Sequence, residues 1–339
     1  MTETTAAQPA AVPALQALDI VLGYFRASAF STAAQLEIAD HLAGGPLHVD
    51  ELAKRTKTQA PYLFRLLRAL ETMEVFKQVS PRVFANTPIS EVLRKDVPGS
   101  FWAGTMDILS PGCGEFEAWH GLTENVRTGK VAFDQKYGYN FWEFLKRDPA
   151  RALLFNESMR SNHAPVTPVI TGAYDWSRFP VIADIGGGIG TQITDIVNAF
   201  RRCRGIVFDL PEGFKGAAPH DRVEYVAGNF FERVPPGADA YLLRSIIHDW
   251  DDADSLAILK SVRAAAKPGA RLILAERVIT DEPKSMVSKW IDVHMMVVCG
   301  GKERTADEHR ELLARAGFEM EQIIPTPSIF SLIFAKPKA

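Results

Sequence analysis

The residues best suited to chemistry are one histidine and two glutamates. His248 stands in Arg244-Ser-Ile-Ile-His248-Asp249-Trp250, at the end of an apolar stretch with the character of a buried strand. An imidazole with an ordinary pKa near ~6.5 can take a proton from a bound hydroxyl when it lies within hydrogen-bond reach. Glu276 closes the apolar run Leu272-Ile-Leu-Ala-Glu276, and Glu303 lies in Cys299-Gly-Gly-Lys-Glu303-Arg-Thr. A carboxylate accepting the imidazole N–H would fix its tautomer and stabilise the imidazolium, although by spacing alone either glutamate could equally form a surface salt bridge. No serine or cysteine occupies a recognisable nucleophile elbow, and the acids and histidines do not recur at metal-ligand spacing. Base-assisted transfer to a substrate oxygen, without a metal, is the chemistry these residues predict.

A second constellation lies upstream, in Val181-Ile-Ala-Asp184-Ile-Gly186-Gly-Gly188-Ile-Gly190-Thr191. Glycines let a strand turn into a helix while the backbone approaches a ligand that side chains would strike. A dinucleotide site wants Gly-x-Gly-x-x-Gly with the helix N-terminus on a pyrophosphate. Here the third glycine of that pattern is missing, and Asp184 would sit more comfortably near a cationic group than near a pyrophosphate. The run Gly205-Ile-Val-Phe-Asp209-Leu-Pro then ends in a carboxylate about one strand-helix unit downstream, able to accept both hydroxyls of a ribose. Separately, a tight turn and a solvated strand-end aspartate would explain these features. Together they predict a site for S-adenosylmethionine (SAM).

These residues need a scaffold that brings them to one edge. From residue 180 onward strands at 181–185, 206–208, 223–227, 240–247 and 272–275 alternate with helical stretches, which predicts a parallel sheet covered on both faces. Ligands of such sheets bind outside the carboxyl ends of the strands, where 186, 188, 209 and 248 all fall. Thr305-Ala-Asp-Glu308 is a capping box opening a helix that closes at Gly317, and two β-rich runs in 318–338 predict a terminal antiparallel pair. Upstream, 15–42 carries two helices, 49–56 and 61–73 a helix pair, and 75–79 with 82–85 a hairpin, which together make a winged-helix-like unit. The expected organisation is therefore a disordered tail at 1–13, a helical dimerisation unit at 14–100, a helical, aromatic segment at 101–174 and the α/β domain at 175–339. In the third segment Phe155, Met159 and Asn162 share a helical face, either as packing or as the wall of an aromatic pocket.

Composition narrows the function classes. With 339 residues, 47% hydrophobic and 23% charged, the chain is expected to be a soluble globular protein with room for two domains. A net charge of −3 offers no footprint for nucleic acid or an anionic membrane. A winged helix raises the possibility of a DNA-binding regulator, but residues 50–96 hold nine basic against six acidic side chains, too small a surplus for a phosphate-binding face. Dimerisation is the better use of its apolar helices. Cys113, Cys203 and Cys299 form no spaced pair, no secretion signal opens the chain, and no apolar run reaches bilayer length, so a cytoplasmic protein is expected.

In order, Asp-x-Gly-Gly-Gly-x-Gly, Phe-Asp-Leu-Pro, Gly228-Asn229-Phe230-Phe231, His248-Asp-Trp and Gly-Gly-Lys-Glu-Arg-Thr make the chain resemble the SAM-dependent small-molecule O-methyltransferases, from about residue 15 to the end. The plant caffeic acid and flavonoid enzymes, hydroxyindole O-methyltransferase and bacterial antibiotic-tailoring enzymes are of this kind. The resemblance implies a Rossmann-like sheet carrying SAM, with S-adenosylhomocysteine as product, and a homodimer built through the N-terminal helices. It implies that Asp184, Gly186, Gly188, Asp209, Leu210, Asn229, Phe230 and Arg244 hold the cofactor. His248 would be the base flanked by Glu276 and Glu303, and Phe155, Met159, Asn162, Asp249 and Met295 would face a small aromatic or polyketide-like hydroxyl acceptor. Two positions depart from the family pattern: Arg244 where a lysine is frequent, and Asn229 where an aspartate is usual, so that the adenine amine would meet an amide, with a stacking Phe230 in compensation. Relatives diverted to hydroxylation, decarboxylation or pericyclic chemistry share the fold, and the intact His248, Glu276 and Glu303 set argues against that alternative.

Overall fold

Leu63, Leu67 and Leu70 return every turn along the helix Ala60–Glu71, and all three are buried in the computed structural model, which describes residues 12–282 and 286–338. Pro61 occupies the first turn of that helix, where a missing N–H has no partner to lose. Together with Val49–Arg55 it packs beside strands β1 (Leu47–His48), β2 (Phe76–Ser80) and β3 (Val83–Asn86), an antiparallel sheet of order β1-β3-β2. The expected hairpin is β2–β3. β1 is additional, and its two residues are too few for an alternating pattern to announce a strand. Ile38, Leu52, Phe76 and Phe84 join the leucines in one core.

The helix Pro13–Gln35 leads into this unit and buries only Ser31, Ala33 and Ala34 near its end. Leu15, Leu18, Val21, Tyr24 and Phe25 lie more than half exposed along its earlier turns. Of the tail expected at 1–13, residues 1–11 lie outside those described, while Pro13 is already helical. The chain divides into two compact units: one runs to Phe116 and includes Leu153–Ser161, the other comprises Glu117–Ala152 and the chain from Asn162 onward. The aromatic segment expected at 101–174 is shared between them.

In the second unit β4 (Val181–Ile185), β5 (Arg204–Asp209), β6 (Val223–Ala227), β7 (Ala240–Arg244) and β8 (Arg271–Glu276) are parallel. β9 (Val278–Ile279) and β10 (Arg304–Thr305) form a separate short pair, and β11 (Phe318–Pro325) and β12 (Ser331–Pro337) complete a seven-stranded sheet of order β11-β12-β8-β7-β4-β5-β6. β7 is buried at every position, as a strand covered on both faces must be. Its side chains alternate, Leu243 joining the cluster with Ile185 and Leu272, and Leu242 the opposite cluster with Ile182 and Ile273. β12 runs antiparallel between β8 and β11, so the expected terminal pair is part of the main sheet.

The chain leaves β4 toward β5 and β6, then returns to β7 on β4's other side, and sheets of this kind bind ligands where the strand order reverses. The fourth strand was expected to reach residue 247 but its ladder ends at Arg244. Ser245 takes a left-handed φ of 52°, and Ile247–Asp249 forms a single 3-10 turn. The helix Met286–Val298 and the β9–β10 pair lie outside the sequence expectations. Among the described residues no helix is long and apolar enough to cross a membrane.

Candidate active site

At the end of β4 the backbone turns through Gly186, Gly188 and Gly190, all with positive φ, into the helix Thr191–Ala199. Gly186 has no room for a side chain, since a Cβ there would stand 2.4 Å from Ile246 Cδ1. Gly188 is different: a Cβ would meet nothing within 4 Å, so this part of the turn faces open space. Its N–H donates to Asp209 Oδ2 at 2.8 Å, and Leu210 N–H donates to Asp209 Oδ1 at 2.7 Å. Each oxygen of Asp209 thus keeps a lone pair for a further donor, the requirement for gripping two ribose hydroxyls. Burial holds the Asp209 carboxyl above its usual range, opposed by those two amides.

Asp184 lies beneath the loop rather than at its surface. Burial pushes its carboxyl up to about 7, against the pull of the Arg244 charge. Arg244 is 8% exposed and committed to protein: Nη1 donates to Thr167 Oγ1 at 2.8 Å and Gln192 Oε1 at 2.9 Å, and Nη2 to the His163 carbonyl at 3.2 Å. Burial lowers its guanidinium to about 10, and only Nε is left buried without a partner. Asn229 is likewise engaged locally, accepting from Phe231 N–H at 3.0 Å and donating to Glu232 at 3.3 Å. Phe230 packs edge-on to Phe231 and Trp250, with ring centroids 5.0 and 6.1 Å away, beside Gly186. Leu210 is 53% exposed.

His248 sits in the 3-10 turn that follows β7. Its Nδ1 meets Glu303 Oε1 at 3.0 Å and its Nε2 lies 3.3 Å from Asp249 Oδ1. Burial alone would lower the imidazole's proton affinity, but Asp249 and Glu303, with Glu276 behind them, outweigh it and raise the pKa to about 9. Burial pushes Asp249 up to about 6, with His248 opposing. Glu276 spends its hydrogen bonds differently from the expectation that it flanks the ring as Glu303 does. Its Oε1 accepts the amides of Ile246 at 3.1 Å and Ile247 at 2.9 Å, so it caps the turn that carries the histidine. Burial raises this carboxyl to about 7, and Oε2 is buried without a partner. Ligand atoms of His248, Glu276 and Glu303 fall within 4.8 Å of one another, but the bonds just described already use Nδ1 and both Oε1 atoms.

Cations that no sequence pattern announces surround this cluster. Arg277 Nη1 donates to the same Glu303 Oε1 at 3.0 Å. Arg304 is 1% exposed and clamps the histidine turn from below, donating to the carbonyls of Ile247 at 3.0 Å and Trp250 at 3.1 Å and to Asp252 Oδ1 at 2.8 Å. Gly301 closes against the same turn, where a Cβ would stand 2.1 Å from the His248 carbonyl oxygen. Arg277 and Arg304 each follow a glutamate already singled out, the only hint of them in the sequence. Trp119 Nε1 donates to His294 Nδ1 at 3.0 Å, on the helix whose Asp292 accepts the Glu303 N–H at 2.9 Å. Of the expected acceptor positions, Asn162, Asp249 and Met295 belong to the unit that holds His248, and Phe155 and Met159 to the other. His309 is buried at 2% exposure with neither ring nitrogen hydrogen-bonded.

An open glycine turn, a ribose-ready carboxylate and an unpartnered buried Arg244 Nε at the switch point suit an adenosyl group carrying an amino acid. Comparison with known proteins agrees. The family described as O-methyltransferase domain matches residues 119–319, and the O-methyltransferase dimerisation domain matches 18–96. The phenazine O-methyltransferase PhzM of Lysobacter antibioticus is 35% identical over 94% of this chain and 95% of its own length. The crystal structure of LaPhzM superposes with a TM-score of 0.91 at 34% identity, covering 96% of this chain and all of that one (100%). The O-methyltransferase NcsB1 from neocarzinostatin biosynthesis, solved with S-adenosylhomocysteine and 1,4-dihydroxy-2-naphthoic acid, superposes at 0.77 with 31% identity over 92% of this chain and 95% of that chain. The chain therefore belongs to the SAM-dependent O-methyltransferase family, its dimerisation domain preceding its O-methyltransferase domain.

Proposed function

We propose that the protein methylates a hydroxyl of a small, flat aromatic or polyketide-like acceptor, with His248 as the base. The observation that carries this reading is the buried His248–Glu303 contact of 3.0 Å at the carboxyl edge of β7. Bound SAM supplies a methyl group on a sulfonium, and the glycine turn, Asp209 and Leu210, Asn229 with Phe230, and the Asp184–Arg244 pair are the residues assigned to hold it. Asp249, Asn162 and Met295 are assigned to the acceptor, and the family resemblance alone assigns Phe155 and Met159 a like role. The exposed face of Pro13–Gln35 is assigned to the homodimer, whose formation would cover it.

Proton affinity supports the role of His248. A phenol ionises near ~10, and an ordinary imidazole near ~6.5 would fall about 3.5 units short, roughly 5 kcal/mol of unfavourable proton transfer. At about 9 the imidazole closes most of that gap, and its neutral, proton-accepting form builds up as pH approaches 9. The carboxylates of Asp249 and Glu303 thus act by matching base to acid, while Glu303 fixes the ring so that Nε2 is the nitrogen presented to the hydroxyl. Most of the remaining rate comes from holding the nucleophilic oxygen in line, a positional contribution the buried turn is built to provide.

The test is transfer of labelled methyl from SAM to a panel of phenols, dihydroxynaphthoates and hydroxyindoles, run beside His248→Asn. Turnover should fall by about 10²-fold or more in the variant, with SAM affinity by calorimetry nearly unchanged. Undiminished turnover would remove His248 from the mechanism.

A further inference from the structure

An imidazole and a guanidinium converge on one oxygen atom. Glu303 Oε1 lies 3.0 Å from His248 Nδ1 and 3.0 Å from Arg277 Nη1, while Glu303 Oε2 is buried without a partner. Both nitrogens point donors at that oxygen, so the 3.5 Å approach of Arg277 Nη1 to His248 Nδ1 is a contact between like charges once the imidazole is protonated. Arg277 is held in place by Phe330, whose ring centroid lies 4.7 Å from its guanidinium carbon. Phe330 comes from the turn between β11 and β12 and is 2% exposed. Arg244 stands over the same ring at 5.7 Å.

We propose that Arg277 is a positioning residue that sets the proton affinity of His248, by sharing Glu303 Oε1 with it and placing a permanent cation beside the ring. This rests on the assignment of His248 as base. A guanidinium does not lose its proton in a protein, so the charge is constant over the working range. Three carboxylates favour the protonated imidazole: Asp249 from its own turn, Glu276 from β8 and Glu303 from the segment before β10. From the surrounding elements come Asp292 on Met286–Val298, in contact with Glu303 N–H, and His163, whose own proton affinity burial and the Arg244 and Arg277 charges keep well below normal. Arg277 is a permanent cation in contact with both members of the His248–Glu303 pair. Without it Glu303 would act on the imidazole undivided, and the base would stay protonated to higher pH.

The experiment is the pH dependence of kcat/KM together with a titration of histidine labelled with 13C at Cε1, in the ligand-free protein, His248→Asn supplying the assignment. In Arg277→Gln the acidic limb and the His248 resonance should both move up by about one unit, and Arg277→Lys, which restores the charge, should bring both back toward wild type. Phe330→Leu, which keeps Arg277 but removes its platform, should shift them by less in the same direction, a second reading should the glutamine variant fold poorly. A limb and a resonance that stay where they are, or move down, overturn the proposal. So does a uniform loss of rate with no shift. If instead His248→Asn keeps full turnover, it is the base assignment that fails.

Discussion

His248 Nε2 lies 3.3 Å from Asp249 Oδ1, so the nitrogen that would receive the acceptor's proton already faces a carboxylate from the next residue in the chain. An incoming hydroxyl therefore competes with, or inserts beside, Asp249. Replacing Asp249 by Asn removes a negative charge and should lower the His248 pKa from about 9. The acidic limb of kcat/KM should move to lower pH by about one unit, opposite to the shift expected for Arg277→Gln. A pH–rate profile of the variant measures it.

The two glutamates should separate under one conservative change. Glu276→Gln keeps a carbonyl oxygen for the Ile246 and Ile247 amides, so kcat should stay within about threefold of wild type. Glu303→Gln keeps the shape but strips the charge from His248 and leaves Arg277 without its counter-charge, so kcat should fall by about 10- to 100-fold. Steady-state kinetics of both variants make the comparison; equal losses would place the two residues in one role.

Asp209→Ala should weaken SAM binding by about tenfold to a hundredfold, since it removes the acceptors offered to a ribose and releases the Gly188 amide. Calorimetric titration with SAM and with S-adenosylhomocysteine should show the same loss for both, because the ribose is common to them.

Acid stability should depend on His309. Burial holds this ring's pKa down to about 4, against about 6.5 for an exposed histidine. As pH falls from 6.5 toward 4 the unfolded chain binds a proton that the folded one refuses, so stability is complete above this window and declines within it, by roughly 3 kcal/mol at most. His309→Leu should remove that loss. Urea unfolding at neutral pH and near the bottom of the window would show the difference between variant and wild type narrowing or reversing in the acid.

Much of this site was legible because single residues carry its logic. Glycines at 186 and 188 and the carboxylate at 209 announce a turn and a grip in the one-dimensional pattern, and His248 announces itself by following a buried strand. The parallel sheet and the antiparallel ending could be read for the same reason, from runs long enough to show a period, whereas the order of the strands could not. What stayed hidden depends on direction rather than type. Glu276 and Glu303 look alike in sequence, yet one bonds backbone and the other the imidazole, a distinction made by the early end of β7 at Arg244 and the left-handed Ser245. Arg277 and Arg304 carry no mark of their own in the sequence, and only the fold buries Arg304 and sets Arg277 against Glu303. The strands β1, β9 and β10, of two residues each, are too short for any pattern.

The place of β12 has a bearing on how the molecule is made. Because residues 331–337 are wedged between β8 and β11, the strand ending in Glu276 lacks a neighbour on that side until this stretch has been synthesised and threaded home. A ribosome that stalls within the preceding twenty or so codons would release a chain with a bare apolar edge, prone to stick to others of its kind, and without the ring that seats Arg277. Catalytic competence and protection from clumping thus depend on one and the same strand.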